Sequence, residues 1–443
     1  MNQSYRNRGL FWIGVLVVFA IAPMVLMLVG PRPAGKPFWR ELSVALGFSG
    51  LALMSLQFAL TARLHRIKEP FGSDIVYFFH HKISLVAFGL ILAHPLSLFI
   101  FYPSTLGLLN LVSAPWRARA GVVSLLALIG LIVFSVYRKQ LKIEYNSWRI
   151  WHGILAIAAT LLALTHIFLV GNYVNTPWKR VLWILYAVAW VGILLYMRVI
   201  RPLEMMRRPW EVAEVKEERG LTWTLTLMPV GHAGMEFMPG QFAWLTAWNS
   251  PFADTENPFS FSSSAESPGR VSFTIKQLGD FTSTIKEMKP GQRVYLDGPF
   301  GAFGIDRQDH AEEFVFIAGG VGITPMMSML LTLADRCDPR PLTLIYAGRT
   351  WDELTFREEL QSLVERLNLK IHFVLEKPPE GWQGEVGFVT HEMLDRLLPK
   401  ERTYNRMETF ICGPPPMMNA VEKSLLRLNI RLEDFHSERF DLV

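Results

Sequence analysis

Long apolar runs dominate the first 208 residues and leave little choice of fold: Leu10–Gly30, Leu42–Leu60, Ile75–Tyr102, Ala120–Tyr137, Trp148–Val170 and Val181–Ile200. Each approaches or exceeds the ~20 residues that span a hydrocarbon core as a helix. Six transmembrane helices are therefore expected, with both termini on one side. Arg63, Arg66, Lys68, Arg138, Lys139, Lys142, Arg201, Arg207 and Arg208 fall on that side, which the positive-inside rule makes cytoplasmic. The first run follows Arg6 and Arg8 as a secretory signal would, but it is long for one and lacks a small-residue cleavage site, so a retained anchor is expected. The expected location is the inner (cytoplasmic) membrane, multi-pass. The net charge of +5 is then a topology signal. No basic patch interleaved with aromatics points to nucleic acid.

Inside the third and fifth runs lie two histidine pairs, His81 with His94 and His152 with His166, spaced 13 and 14 residues apart. At ~1.5 Å per residue each pair spans roughly 20 Å of helix. A single buried histidine is ordinarily satisfied by a neighbouring carbonyl; four at matched depths in lipid point to function. Two helices so equipped suit two metal centres, and iron porphyrin held by an imidazole on each face fits an apolar bundle, since the macrocycle brings its own hydrophobic surface. A spacing of 14 returns to within about 40° of the starting face and 13 misses by about 140°, so His80 competes with His81 unless a bend or π-bulge intervenes. Only two cysteines occur, Cys337 and Cys412, which excludes a four-thiolate iron–sulfur cluster within the chain.

After about Pro209 the composition becomes that of a soluble α/β protein. Short β-type runs with Gly and Pro punctuation, LTWTLTLMPV, PGQFAWLTAW, RVSFTIKQL and QRVYLDGPF, predict a small antiparallel barrel. Within it Phe259 and Ser260 read either as part of a plain surface loop or as an aromatic that packs on an isoalloxazine beside a hydroxyl that hydrogen-bonds its N5, while the run Lys276 to Thr282, with Gly279 and Phe281, opens a short helix from Thr282 and reads as a pyrophosphate site, a simple helix cap, or both. An apolar strand then leads into Gly319-Gly320-Val321-Gly322-Ile323-Thr324-Pro325 and an apolar helix, a phosphate-binding βα unit without the G-x-G-x-x-G spacing. LTLIYAGR, IHFVLEK and METFICGPPPMM supply further strands of a parallel sheet. Their carboxyl ends gather a ligand crevice.

The order NPFS, KQLGDFT, DGPFG, GGVGITP, YAGR, CGPPPMM and a near-terminal Phe440 resembles the ferredoxin-NADP reductase superfamily. With the histidine-bearing helices in front, the whole chain resembles the ferric reductase and NADPH oxidase family of transmembrane flavocytochromes. The resemblance implies that Phe259, Ser260, Lys276, Gly279 and Thr282 hold FAD, and that Gly319, Gly320, Gly322, Thr324, Pro325, Cys412, Gly413 and Pro414 hold NADPH or NADH. It places Cys412 beside the hydride path and Phe440 on the flavin. Arg349 is a candidate for a 2′-phosphate. His81-Lys82 and Trp151-His152 match the family's signatures for inner haem ligands, favouring His81. Asn257 departs from the His or Arg that relatives often carry before the proline.

The architecture expected is thus a six-helix transmembrane haem-binding bundle (1–208), an antiparallel β-barrel FAD domain (209–306) and an α/β parallel-sheet NAD(P)-binding domain (307–443). The implied activity passes a hydride from cytosolic NAD(P)H to FAD, with Ser260, Cys412 and Phe440 around the transfer, and then single electrons through two b-type haems, inner His81/His152 and outer His94/His166. The acceptor expected on the outer side is a small molecule or ion such as a ferric chelate. Superoxide production is one alternative, and a haem-binding membrane redox sensor or cytochrome subunit the other.

Overall fold

The computed structural model describes residues 3–29, 35–63, 73–253, 255–400 and 406–440. The chain divides into a helical unit, 8–67 with 75–198, and a second unit built chiefly from 199–443. The long helices of the N-terminal half are α1 (Gln3–Leu28), α2 (Phe38–Thr61), α3 (Ser73–Phe101), α4 (Trp116–Val136), α5 (Tyr145–Val170) and α6 (Pro177–Leu195). Among the described residues five helical stretches are long and apolar enough to cross a bilayer, on α2 through α6. In α1 the apolar stretch is the shorter Asn7–Pro23, so the first expected span falls below that length, and Gly30 lies outside the described residues.

The ends of α5 show why this segment is helical. Glu144 caps it by accepting from the Asn146 and Ser147 N–H groups at 2.9 and 2.8 Å, and Gly171 closes it in a left-handed conformation. The Ser124 hydroxyl donates across to the Ala159 carbonyl at 2.7 Å, tying α4 to α5 where water cannot compete. On the other side of the bundle Phe48, Trp183, Tyr186 and Trp190 form an aromatic core between α2 and α6. Such large buried faces compensate for the absence of a hydrophobic driving force between helices in lipid.

In the second unit a six-stranded antiparallel sheet is built from β1 (Trp210–Glu218), β2 (Thr222–Pro229), β3 (Phe242–Thr246), β4 (Asn257–Ser260), β5 (Val271–Lys276) and β6 (Arg293–Phe300), in the order β4-β3-β6-β1-β2-β5. The bridge from Phe261 to Phe273 joins the two outer strands and closes the barrel. Leu225, Leu227, Leu245, Phe273 and Val294 fill its core. The sheet that follows is wholly parallel, in the order β10-β9-β8-β7-β11-β12: β7 (Glu313–Gly319), β8 (Leu342–Gly348), β9 (Leu369–Leu375), β10 (Glu385–Val386), β11 (Met407–Cys412) and β12 (Phe435–Glu438). Strands β7 and β8 read as continuous apolar runs because both faces are covered. Chain order runs outward from β7 through β8, β9 and β10, and then resumes on the other side with β11. The topological switch therefore falls between β7 and β11, where ligands enter sheets of this kind.

Candidate functional site

The helical unit brings its histidines together in two pairs. The His94 and His166 ring centres are 6.3 Å apart, and the partner of His152, also at 6.3 Å, is His80. His81 is exposed on another face of α3. The reason is helical phase: α3 is regular α-helix from 80 to 94, with no π-turn to absorb a thirteen-residue spacing, so positions fourteen apart share a face. A metal bound by both rings, at about 2 Å from each nitrogen and roughly 1.1 Å further to each ring centre, would set the ring centres about 6.2 Å apart. Both observed separations fit a metal held between the rings.

Hydrogen bonds decide which nitrogen each ring can offer. His94 Nδ1 lies 2.8 Å from the Ser43 carbonyl and 2.9 Å from the Ser43 hydroxyl, whose own proton goes to the His94 carbonyl, and His166 Nδ1 lies 2.7 Å from the Arg117 carbonyl, so Nδ1 carries the proton in each and Nε2 is left as the electron-pair donor. His152 Nδ1 meets the Ser135 hydroxyl at 3.1 Å. His80 Nδ1 is buried without a hydrogen-bond partner among the described residues. Gly121 makes room behind His166, since a Cβ there would sit 2.8 Å from His166 Nδ1.

In the second unit a cleft opens along the barrel edge, lined by Phe242, Pro258, Phe259, Ser260, Thr274, Ile275, Lys276, Leu278, Thr282, Val321, Thr324, Glu438, Arg439 and Phe440. It gathers Phe259, Ser260, Lys276, Thr282, Thr324 and Phe440 from the sequence candidates. Phe281 stacks on Phe259 at 6.0 Å. The short helix begins at Asp280 rather than Thr282, and the Thr282 hydroxyl accepts from the Leu278 and Gly279 N–H groups, both at 2.9 Å, folding the turn on itself. Thr274, Glu438 and Arg439 also line the cleft, and no motif singled them out. Glu438 follows from pairing, because β12 sets it beside Cys412 in parallel register.

At the switch point the two glycine turns touch through their backbones. A Cβ on Gly322 would lie 2.2 Å from the Cys412 carbonyl oxygen and 2.8 Å from the Gly413 nitrogen, and Gly319 is packed against Pro414 and Met417. Gly320 adopts φ +53° in the same turn, and Pro325 is buried in the first turn of the following helix, Ile323–Asp335. The Thr324 hydroxyl donates to the Val321 carbonyl at 2.8 Å, tightening the loop. Arg349 stands apart, exposed at the end of β8, where its carbonyl accepts from Lys377 N–H at 2.8 Å. Asn257 donates weakly to the Thr255 carbonyl at 3.3 Å, so no cation stands at that position.

The Cys412 side chain is fully buried, and burial together with the neighbouring Glu438 carboxylate holds its thiol well above the usual range. It is a neutral, protonated group. Cys337 is exposed. Iodoacetamide at pH 8 is therefore expected to label Cys337 alone in the folded chain and both thiols after denaturation, read by intact-mass analysis.

A family model described as a ferric reductase like transmembrane component matches residues 46–163, and one described as an oxidoreductase NAD-binding domain matches residues 316–423. The chain joins these two parts. It is 34% identical over 172 residues to NADH-cytochrome b5 reductase 1 of Pyricularia oryzae, covering 38% of this chain and 55% of that protein. It is 30% identical over 210 residues to the anthranilate 1,2-dioxygenase electron transfer component of Acinetobacter baylyi, covering 46% and 59%. The chain thus spans little more than half the length of these curated relatives. A solved cytochrome b5 reductase domain of Ulva prolifera nitrate reductase superposes with a TM-score of 0.46 at 21% identity, covering 53% of this chain and 98% of that one.

Proposed function

We propose that this chain carries reducing equivalents from cytosolic NADH or NADPH across the membrane to a small molecule or ion outside, with FAD in the barrel cleft and a b-type haem at each histidine pair. The observation that carries this reading is the equal 6.3 Å separation of the two ring pairs on two helices that run in the same direction. With fourteen residues between successive histidines, the pairs stand about 21 Å apart along the helix axes. Bound flavin supplies the conversion between two-electron and one-electron chemistry, and bound haem supplies one-electron carriers.

The protein's own groups position and insulate. His80 and His152 would hold the inner haem, His94 and His166 the outer. Ser260, Lys276 and Thr282 would hold the flavin in the cleft that Phe440 covers, and the paired turns at Gly322 and Cys412 would take the nicotinamide nucleotide. A protonated, buried Cys412 adds no charge beside the transfer site. The reading goes with α1 as a sixth span, both termini cytoplasmic in the inner membrane, and the division 1–208, 209–306 and 307–443. Sealed right-side-out vesicles loaded with NADH test it. A membrane-impermeant ferric chelate added outside should be reduced, and reduction only after the vesicles are lysed would overturn the outward direction.

A further inference from the structure

Ser135 sits one helix away from His152 and has no assigned role. Its hydroxyl carries one proton, which goes to the Leu131 carbonyl at 2.7 Å. The oxygen's two lone pairs are then left for two donors, His152 Nδ1–H at 3.1 Å and Trp148 Nε1–H at 3.2 Å. Trp148 is held in place by the Arg138 guanidinium over its ring at 5.4 Å, and it packs on the His152 ring at 5.2 Å. The contrast with the outer pair is chemical. His94 and His166 each reach a main-chain carbonyl, which substitution does not remove, although His94 Nδ1 also lies 2.9 Å from the Ser43 hydroxyl, whereas the partner of His152 is a side-chain oxygen alone, and one it must share.

We infer that Ser135 is a positioning residue that fixes the tautomer of His152 and, in competition with Trp148, sets the electron donation of that imidazole to the inner haem. The inference rests on the haem reading above. An axial imidazole whose far N–H is hydrogen-bonded is the stronger donor and favours ferric iron. Removing the acceptor therefore raises the reduction potential of the inner centre, and removing the rival donor lowers it.

The test is a spectroelectrochemical titration of the purified full chain with its haems, in which the component lost from His166→Ala identifies the outer centre. Ser135→Ala should move the inner component to higher potential, Ser135→Thr should restore it, and Trp148→Phe should move it lower, with the outer component unchanged in all three. If Ser135→Ala fails to retain haem, Trp148→Phe decides. An inner component that is unmoved in both, or an equal drift of both components, overturns the inference. A wild-type chain that purifies without haem, or with a single component, defeats the underlying reading instead.

Discussion

His80→Ala is expected to purify with about half the haem of the unaltered chain, while His81→Ala keeps all of it, as measured by pyridine haemochrome absorbance per mole of chain. The difference comes from helical phase, since only His80 faces the His152 ring. The lost imidazole is not replaced from α3, whose next histidine, His81, lies on another face. His81 points away and is exposed. Loss of haem on changing His81, with His80 dispensable, would require α3 to turn by about 100°, the angle between adjacent residues.

Gly322→Val should cut turnover with the nicotinamide nucleotide about 100-fold while leaving the haems in place and reducible by dithionite. The added Cβ would meet a main-chain carbonyl at 2.2 Å, and no rotamer relieves a clash with backbone. The turns after β7 and β11 must then move apart by an ångström or more. A displacement of that size in a nucleotide-positioning element costs on the order of 100-fold in kcat/KM. The neighbouring Gly320→Ala is the milder change. Space around it is open, and its φ of +53° carries roughly 1 kcal/mol of strain for an L residue. Steady-state reduction of an artificial acceptor by NADH or NADPH separates the two variants.

Much of this architecture was legible in the residue pattern, because each signal had one physical cause. Apolar length marked the membrane helices, since hydrocarbon permits no unsatisfied backbone. Alternating runs bounded by Gly and Pro marked β2, β3, β5 and β6, and unbroken apolar runs marked the buried strands β7 and β8. The histidines show where pattern reading divides. Periodicity favoured His80, the family resemblance of His81-Lys82 favoured its neighbour, and the geometry places His80 opposite His152. The short helix at Asp280 starts before the expected Thr282 because the Thr282 hydroxyl turns back onto Gly279 N–H, a local capping contact that places Thr282 inside the first turn. Ser135, Thr274 and Glu438 were invisible for another reason. Ordinary residues by type, they acquire a role only through the element packed beside them.

The most direct measurement is anaerobic. Detergent-solubilised full chain supplied with FAD should show oxidised haem absorption, and NADH or NADPH should convert the bands of both centres to the reduced form. Bleaching of the flavin with haem bands unchanged, or a chain that carries no haem at all, would contradict electron transfer from nucleotide to paired histidines.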